Sequence, residues 1–248
     1  MYSQEYQVVL GLNRFENKHS SEIKQVQEMI GSLPFTKKVF TLDALHSLAD
    51  FLLDGNHQDR SPRCQKPTVQ QIIASENHYL ITVKKNQKKL YQALESITDS
   101  EQPFSINIEQ EKSHGRQIKR QVSVFKSIEP LKSNWCGIQS LIRVKRWGKR
   151  GDKDDHQVAY YISSLLEKAE VFATRIRGHW QIENQLHWVK DVIFQEDGSQ
   201  IHHFQARTNL SILQTIAMNL FRLLGFVSIT EGQRWLNNHW FKLWILLE

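Results

Sequence analysis

The sequence predicts an α/β protein in which strands of mixed direction are flanked by helices. Two short apolar stretches, residues 39–42 and 78–83, have the composition of buried strands and lie beside segments with helical spacing. Between residues 104 and 165, partly alternating stretches are separated by polar turns, which is typical of antiparallel strands. Amphipathic helical patterns follow. These observations divide the chain into residues 1–103, a basic β-rich insertion at 104–165, and a helical part at 166–248.

The composition is that of a globular protein with an excess of positive charge. The 248 residues include 32 Lys and Arg against 26 Asp and Glu, a formal net charge of +6 that permits binding to a polyanion. Two cysteines, Cys64 and Cys136, exclude a disulfide framework and a cysteine zinc motif, and they fit a reducing compartment. Neither a membrane span nor a signal-peptide pattern is found, so we expect a cytoplasmic protein with no membrane partner.

The first elements lead to an acidic residue at the end of a strand. Residues 6–15 predict a strand, and the helix after it ends near Gly31. The apolar strand at 39–42 runs directly into Asp43, and an acidic residue in that position is a common site placement in α/β sheets. Residues 44–53 are strongly helical, so Asp43 is equally well interpreted as a helix cap. Both interpretations stay open on local grounds.

A second buried strand ends in a cluster of lysines. Residues 54–67 are polar and predict a loop, and Thr68 opens a short helix. The strand at 78–83 is followed at once by Lys84 and Lys85, which belong to the run KKNQKK. This cluster suits contact with a phosphate, and it is also typical of a solvated surface run.

The β-rich insertion carries most of the positive charge. Alternating basic side chains on one sheet face suit contact with a polyanion, and we expect a DNA-binding role for Arg116, Arg120, Arg143 and Arg146. The alternative is that these side chains protect edge strands from aggregation.

The stretch from 177 to 197 is the most informative in the chain. As an α-helix it places His179, Glu183, His187 and Lys190 on one face, because steps of three and four residues return to the same side. A neighbouring apolar stripe would bury the helix against a core; it consists of Ile182, Leu186, Val189 and Ile193. The alternative to a site is a solvated charged face. A zinc hydrolase is disfavoured, because the two histidines lie eight residues apart and do not match the HExxH spacing.

Two further helices are predicted at the C-terminal end. Residues 205–224 are strongly amphipathic, and Gly225 is a natural stop. Residues 231–248 suit another helix whose tryptophans pack against the core.

Several short motifs in the sequence resemble the motifs of one known family. The string HW-x-IEN-x-LHW-x-x-DV-x-F-x-ED at 179–197 resembles the signature of the ISAs1 family of insertion-sequence transposases, which are related to the H-repeat-associated proteins. Other fragments resemble the family's motifs in the same order; these are TLDALH at 41–46, CQK with Thr68, YLITVKKNQ at 79–87, HGR at 114–116 and YYISSL at 160–165.

The resemblance implies a DDE transposase with an RNase H-like fold. Such enzymes cut and rejoin DNA at element ends with two divalent cations, Mg²⁺ or Mn²⁺, which take oxygen ligands. By this resemblance Asp43 and Glu183 are the second and third catalytic carboxylates and metal ligands. Lys190 corresponds to a lysine that contacts DNA near the cut, and His179 stands where related transposases carry an arginine.

Two departures from the family pattern shape the expected activity. The resemblance implies strands before residue 6 that carry a first catalytic Asp, and no Asp precedes Asp43, so we expect an N-terminally truncated core that is inactive alone. Residues 47–63 separate two motifs that are nearly contiguous in the family, which indicates an insert.

The expected partners are DNA, a second copy of the chain, or a full-length copy. The alternative function is a non-catalytic DNA-binding remnant.

Overall fold

The fold was analysed on a computed structural model. It describes residues 1–12, 22–43, 65–113, 116–126, 128–150, 153–196, 198–201, 203–239 and 241. Several sequence features fall outside this range, among them Ala44 to His46 with the insert at 47–63, Cys64, the pair His114–Gly115, and Asp197.

The described residues form both strands and helices. The strands are β1 (Tyr2–Ser3), β2 (Val8–Val9), β3 (Val39–Leu42), β4 (His78–Val83), β5 (Ser105–Ser113), β6 (Arg116–Phe125), β7 (Ser140–Arg150) and β8 (Lys153–Ser163). The α-helices are α1 (Glu22–Ser32), α2 (Gln65–Ala74), α3 (Lys88–Ser100), α4 (Glu129–Lys132), α5 (Ala169–Ile182), α6 (Phe204–Leu223) and α7 (Ile229–Asn238). Two π-helical segments, Glu183–His187 and Val189–Ile193, continue α5.

The chain forms two compact units. One contains Arg14–Ile176, and the other combines Met1–Asn13 with Arg177–Glu248. We refer to them as the sheet unit and the helical unit. The division falls within α5, after Ile176.

The sheet unit is built on a mixed sheet. Its described strands follow the order β3-β4-β8-β7-β6-β5. The β3 and β4 strands are parallel, with Leu42 opposite Ile81, whereas the other neighbouring pairs are antiparallel. The parallel pair puts the C-terminal ends of β3 and β4 at the same edge of the sheet. The side chain that follows β3 therefore meets the side chain that follows β4.

Helices cover both faces of this sheet. Phe172 and Ile176 of α5 pack against a buried cluster that includes Val122 and Val144. The next residue of β7, Arg143, points to the other face, where it meets Asp99 of α3. Successive residues of a strand alternate between faces, so this part of β7 is covered on both sides. The predicted α/β fold with a mixed sheet flanked by helices is confirmed.

The helical unit has a small core of its own. Val9, Val189, Met218, Phe221 and Ile229 are buried together there. They come from β2, the second π-helical segment, α6 and α7, so distant parts of the chain share one core.

Several predicted elements differ from the structure. The α2 helix begins at Gln65, inside the loop predicted at 54–67, rather than at Thr68. The strand predicted at 6–15 is reduced to Val8–Val9 in residues 6–12, and it pairs with Tyr2–Ser3 rather than with the mixed sheet. Gln7 has a positive φ of 55°, which is uncommon for a residue other than glycine and belongs to the tight turn between these strands. The final helix, predicted at 231–248, is observed as Ile229–Asn238, and residues 240 and 242–248 lie outside the described range.

The β-rich segment at 104–165 forms antiparallel strands as expected. It is not a separate sheet, because β8 pairs with β4 and extends the sheet that begins at β3. The division into residues 1–103, 104–165 and 166–248 stays a prediction. In the described part of the chain, no helix is both long and apolar enough to cross a membrane.

Candidate functional site

Asp43 lies directly after β3, at the edge where the two parallel strands end. Its carboxylate is 66% exposed, and its Oδ2 atom lies 3.8 Å from Nζ of Lys84, the residue that directly follows β4. The pair follows from the parallel register, which puts the two strand ends side by side. An exposed ion pair of this length contributes little stability. Because most of the Asp43 side chain is exposed, a ligand can reach its carboxylate, and Lys84 supplies positive charge beside it.

The alternative role of Asp43 as a helix cap is not decided, because residues 44–64 lie outside the described range. Lys85 is exposed in the turn that follows Lys84. The phosphate-binding role of both lysines stays a prediction.

Glu183 begins a π-helical segment rather than a further turn of α-helix. The α5 helix ends at Ile182, and the backbone N–H of Trp188 then donates to the carbonyl of Glu183, five residues before it. The pattern repeats when the N–H of Phe194 donates to the carbonyl of Val189. π-Helical turns are rare in proteins overall, and those that do occur are often found at functional sites.

The wider turn changes which residues share a face. Glu183, His187 and Asp191 are exposed, at steps of four residues, whereas Lys190 is turned toward the interior with a side chain 14% exposed. A seven-residue step such as Glu183 to Lys190 returns to the same face after two turns of an α-helix, but it does not do so in the wider turns of a π-helix. The prediction that His179, Glu183, His187 and Lys190 share one face is therefore wrong for Lys190. His179 is half-buried in the last turn of α5.

Lys190 is held by two polar partners within the helical unit. Its Nζ atom donates to Oγ of Ser211 on α6 at 3.1 Å and lies 3.3 Å from Oε2 of Glu196. The predicted DNA contact of Lys190 stays a prediction, and the structure adds that the ammonium group must leave these partners to reach a phosphate.

The prediction that the four arginines share one sheet face is wrong for Arg143. Successive residues of a strand alternate between faces, so Arg120 and Arg146 lie on one face of β6 and β7 and Arg143 points to the other. Arg120 and Arg146 are opposite each other on β6 and β7, and they contact Glu111 at 2.8 Å and Gln157 at 3.3 Å. Arg143 is only 12% exposed, donates to Asp99 at 2.6 Å and lies over the ring of Phe125. The backbone of Arg116 pairs with Ser113 and Arg150 at the far end of the strands. Arg143 thus helps to hold α3 on the sheet, and the Arg120 side chain, 25% exposed, lies nearer to solvent.

Sequence reasoning missed a group on the face opposite Arg120 and Arg146, the face to which Arg143 also points. Lys119, Trp147 and His156 are direct neighbours across β6, β7 and β8. The Lys119 ammonium lies 5.7 Å from the centre of the Trp147 ring, and the Trp147 and His156 rings are 5.5 Å apart. The alternation in the sequence placed Trp147 on a strand, but only the register brings these three side chains together.

Asp43 and Glu183 belong to different compact units. Asp43 lies in the sheet unit and Glu183 in the helical unit. Among the described residues, no group of three or more His, Cys, Asp or Glu side chains could hold a metal ion. The roles of both carboxylates as metal ligands therefore stay predictions.

Comparison with known proteins places this chain among transposases. Residues 1–220 match the family described as "Transposase DDE domain". The chain is 33% identical over 238 residues to "Putative transposase YncI" of Escherichia coli O157:H7, a match that covers 89% of this chain and 55% of that protein. It is 30% identical over 233 residues to "H repeat-associated putative transposase YhhI" of Escherichia coli (strain K12), covering 88% and 56%. The chain thus spans about half the length of the curated relatives it matches. No solved structure matches it.

Proposed function

The chain belongs to the family of transposases with a DDE domain, and from that premise we propose that it is an insertion-sequence transposase of the ISAs1 type. Its substrate would be the terminal repeats of its element together with target DNA, and its reaction the cleavage and transfer of DNA strands. The observation that carries the proposal is the family match over residues 1–220, which includes both Asp43 and Glu183.

Asp43 and Glu183 are the proposed ligands of Mg²⁺ or Mn²⁺. Carboxylate oxygens are the donors that these hard cations prefer, and both side chains are exposed, so a cation and a phosphodiester can reach each of them. When bound, such ions would act as Lewis acids at the phosphodiester. Lys84 holds positive charge 3.8 Å from Asp43 and would balance this carboxylate before a cation binds.

A polypeptide of these 248 residues is expected to bind DNA without cutting it. The resemblance implies three catalytic carboxylates, and the 248 residues contain matches to two of them. The test is a nicking and strand-transfer assay with Mn²⁺ on duplexes that carry the terminal repeats. Robust cleavage by the 248-residue chain that is lost in Glu183→Ala would overturn the proposed inactivity.

The basic strands are proposed to contact DNA phosphates. Arg120 and Arg146 are the main candidates, because they lie opposite each other and are not fixed against α3 as Arg143 is. Lys119 and Lys145 add positive charge on the opposite face of the same strands. For binding that depends on phosphates, the logarithm of the binding constant falls linearly with the logarithm of the salt concentration. The slope is roughly −0.9 for each phosphate contact.

Duplex binding across a salt series tests this surface. The double substitution Arg120→Ala with Arg146→Ala is expected to weaken binding at all sequences and to reduce the salt slope by about two. Lys132→Ala is the matched control, because Lys132 is an exposed cation of α4 that pairs with Glu129 outside the sheet. If the unmodified chain retains no duplex even at low salt, the DNA-binding proposal is wrong.

The second candidate function is a non-catalytic DNA-binding remnant. The observation that favours it is the row of basic residues on β6 and β7, which needs no catalytic carboxylate to bind DNA. Such a chain would occupy element ends or interfere with a full-length copy in the cytoplasm, at the nucleoid. Inhibition of a full-length transposase by the 248-residue chain, unchanged by Glu183→Ala, would support it over the catalytic role.

A further inference from the structure

Lys190 forms an ion pair with the carboxylate of Glu196. The two atoms Nζ and Oε2 are 3.3 Å apart, and the side chains are 14% and 24% exposed. Among the described residues, Oε2 of Glu196 is buried and accepts no hydrogen bond, so the contact is an ion pair without hydrogen-bond geometry. The hydrogen bond of the ammonium goes to Ser211 at 3.1 Å instead.

The backbone holds Glu196 in this place independently of its side chain. The second π-helical segment ends at Ile193, and Gln195 then adopts a positive φ of 52°. This turn lets the N–H of Glu196 donate to the carbonyl of Lys190 at 3.0 Å. A positive φ in a residue other than glycine is uncommon. The turn at Gln195 thus places the Glu196 carboxylate beside the Lys190 ammonium.

We propose that Glu196 is a positioning residue for Lys190, which it holds against Ser211 until a DNA phosphate takes the place of the carboxylate. This inference rests on the proposed function and deepens it. A phosphate oxygen that accepts a hydrogen bond from the ammonium makes a stronger contact than an ion pair without that geometry. A carboxylate held beside the same ammonium opposes the approach of the phosphate through like-charge repulsion. Glu196 therefore sets the affinity at which Lys190 engages DNA.

Duplex binding by four variants tests the exchange. Glu196→Gln is expected to raise affinity by about threefold to tenfold, a shift of up to about 1.4 kcal/mol, because the competing charge is removed. Lys190→Ala is expected to lower affinity and to reduce the salt slope by about one. Added to Lys190→Ala, the Gln substitution should give no further gain. Glu5→Gln removes the same charge at an exposed position of the helical unit and is expected to leave affinity unchanged.

A gain that persists in the Lys190→Ala background, or that Glu5→Gln reproduces, would overturn the inference, because the effect would then be a general change in charge. No gain in Glu196→Gln would overturn it as well. Ser211→Ala keeps the ion pair and removes the hydrogen bond, so it is expected to give a smaller gain. Failure of the unmodified chain to bind any duplex would instead overturn the proposed function.

A second measurement tests the contact between Glu196 and Lys190 in the absence of DNA. Acetylation of lysines in the folded chain, followed by mass spectrometry, reports how freely each ammonium group reacts. Glu196→Gln is expected to speed the acetylation of Lys190 severalfold relative to Lys132, which is exposed on α4. An unchanged rate at Lys190 would show that Glu196 does not hold the ammonium, whatever the binding experiment gives.

Discussion

At the scale of single residues, Tyr79 links the stability of the sheet unit to pH. It is fully buried on β4, and its hydroxyl donates to the carbonyl of Cys136 at 3.0 Å. Burial raises the pKa of Tyr79 above its ordinary value near 10, because the phenolate would lose its hydration. The stability that this group contributes is complete below pH 10 and is lost as pH rises above that value, since the unfolded chain then releases a proton that the folded chain keeps.

The expected loss is up to about 1.4 kcal/mol per pH unit above pH 10. Urea unfolding at a series of pH values from 8 to 11 would measure it. Tyr79→Phe should flatten part of the decline, and Tyr6→Phe, at a position 64% exposed, should not. A decline that is the same in all three proteins would refute the assignment to Tyr79.

Arg222 is a second residue whose removal has a defined structural effect. Its guanidinium donates to the carbonyls of Gln7 and Gln185 and lies 5.6 Å from the ring centre of Tyr2. It thus joins α6 to the first strands and to the π-helical segment. Arg222→Ala is expected to lower the free energy of unfolding by about 2 kcal/mol, because hydrogen bonds to charged groups are lost. Arg207→Ala, an exposed position on the same helix, should change it by less than about 0.5 kcal/mol in the same urea titration.

At the scale of elements, the boundary between α-helix and π-helix shows where sequence reasoning ends. The helix through 177–197 was predictable, because Ile182, Leu186, Val189 and Ile193 recur at helical spacing and are buried or half-buried as expected. Periodicity does not reveal one additional residue in a turn, since steps of four fit both windings. For that reason the exposure of Glu183 was predictable from the sequence, and the inward direction of Lys190 was not.

The start of α7 gives a prediction for a single helix. Ser228 has an extended backbone, and its hydroxyl accepts from the N–H of Glu231 at 3.1 Å, which is the geometry of an N-cap. Ser228→Ala is expected to cost about 1 kcal/mol, and Ser228→Asp should keep most of the stability. Thermal unfolding followed by circular dichroism would compare the three proteins, and equal midpoints for Ser and Ala would contradict the cap.

At the scale of the whole molecule, the class of fold followed from the sequence and the arrangement of the strands did not. Apolar strands beside helices predicted α/β, and alternation predicted the antiparallel strands β5 to β8. The pairing of β8 with β4 depends on contacts between residues about 80 apart, such as Leu80 and Ser163, and no local pattern encodes them. The same limit applies to the site, since Lys84 was identified beside a strand end, but its contact with Asp43 required the parallel register.

The two compact units lead to a final prediction about local stability. Phe172 is buried in the core of the sheet unit and Phe221 in that of the helical unit, so truncation of either should cost about 3–5 kcal/mol in its own core. Hydrogen exchange can separate the two effects, because amide protection reports local opening as well as global unfolding. We expect Phe221→Ala to reduce the protection of Val9, whose N–H is bound by Asn219, more than that of Val144 on β7. Phe172→Ala should reverse this order. If both substitutions reduce protection equally at both amides, the units unfold together and the division into two cores has no energetic counterpart.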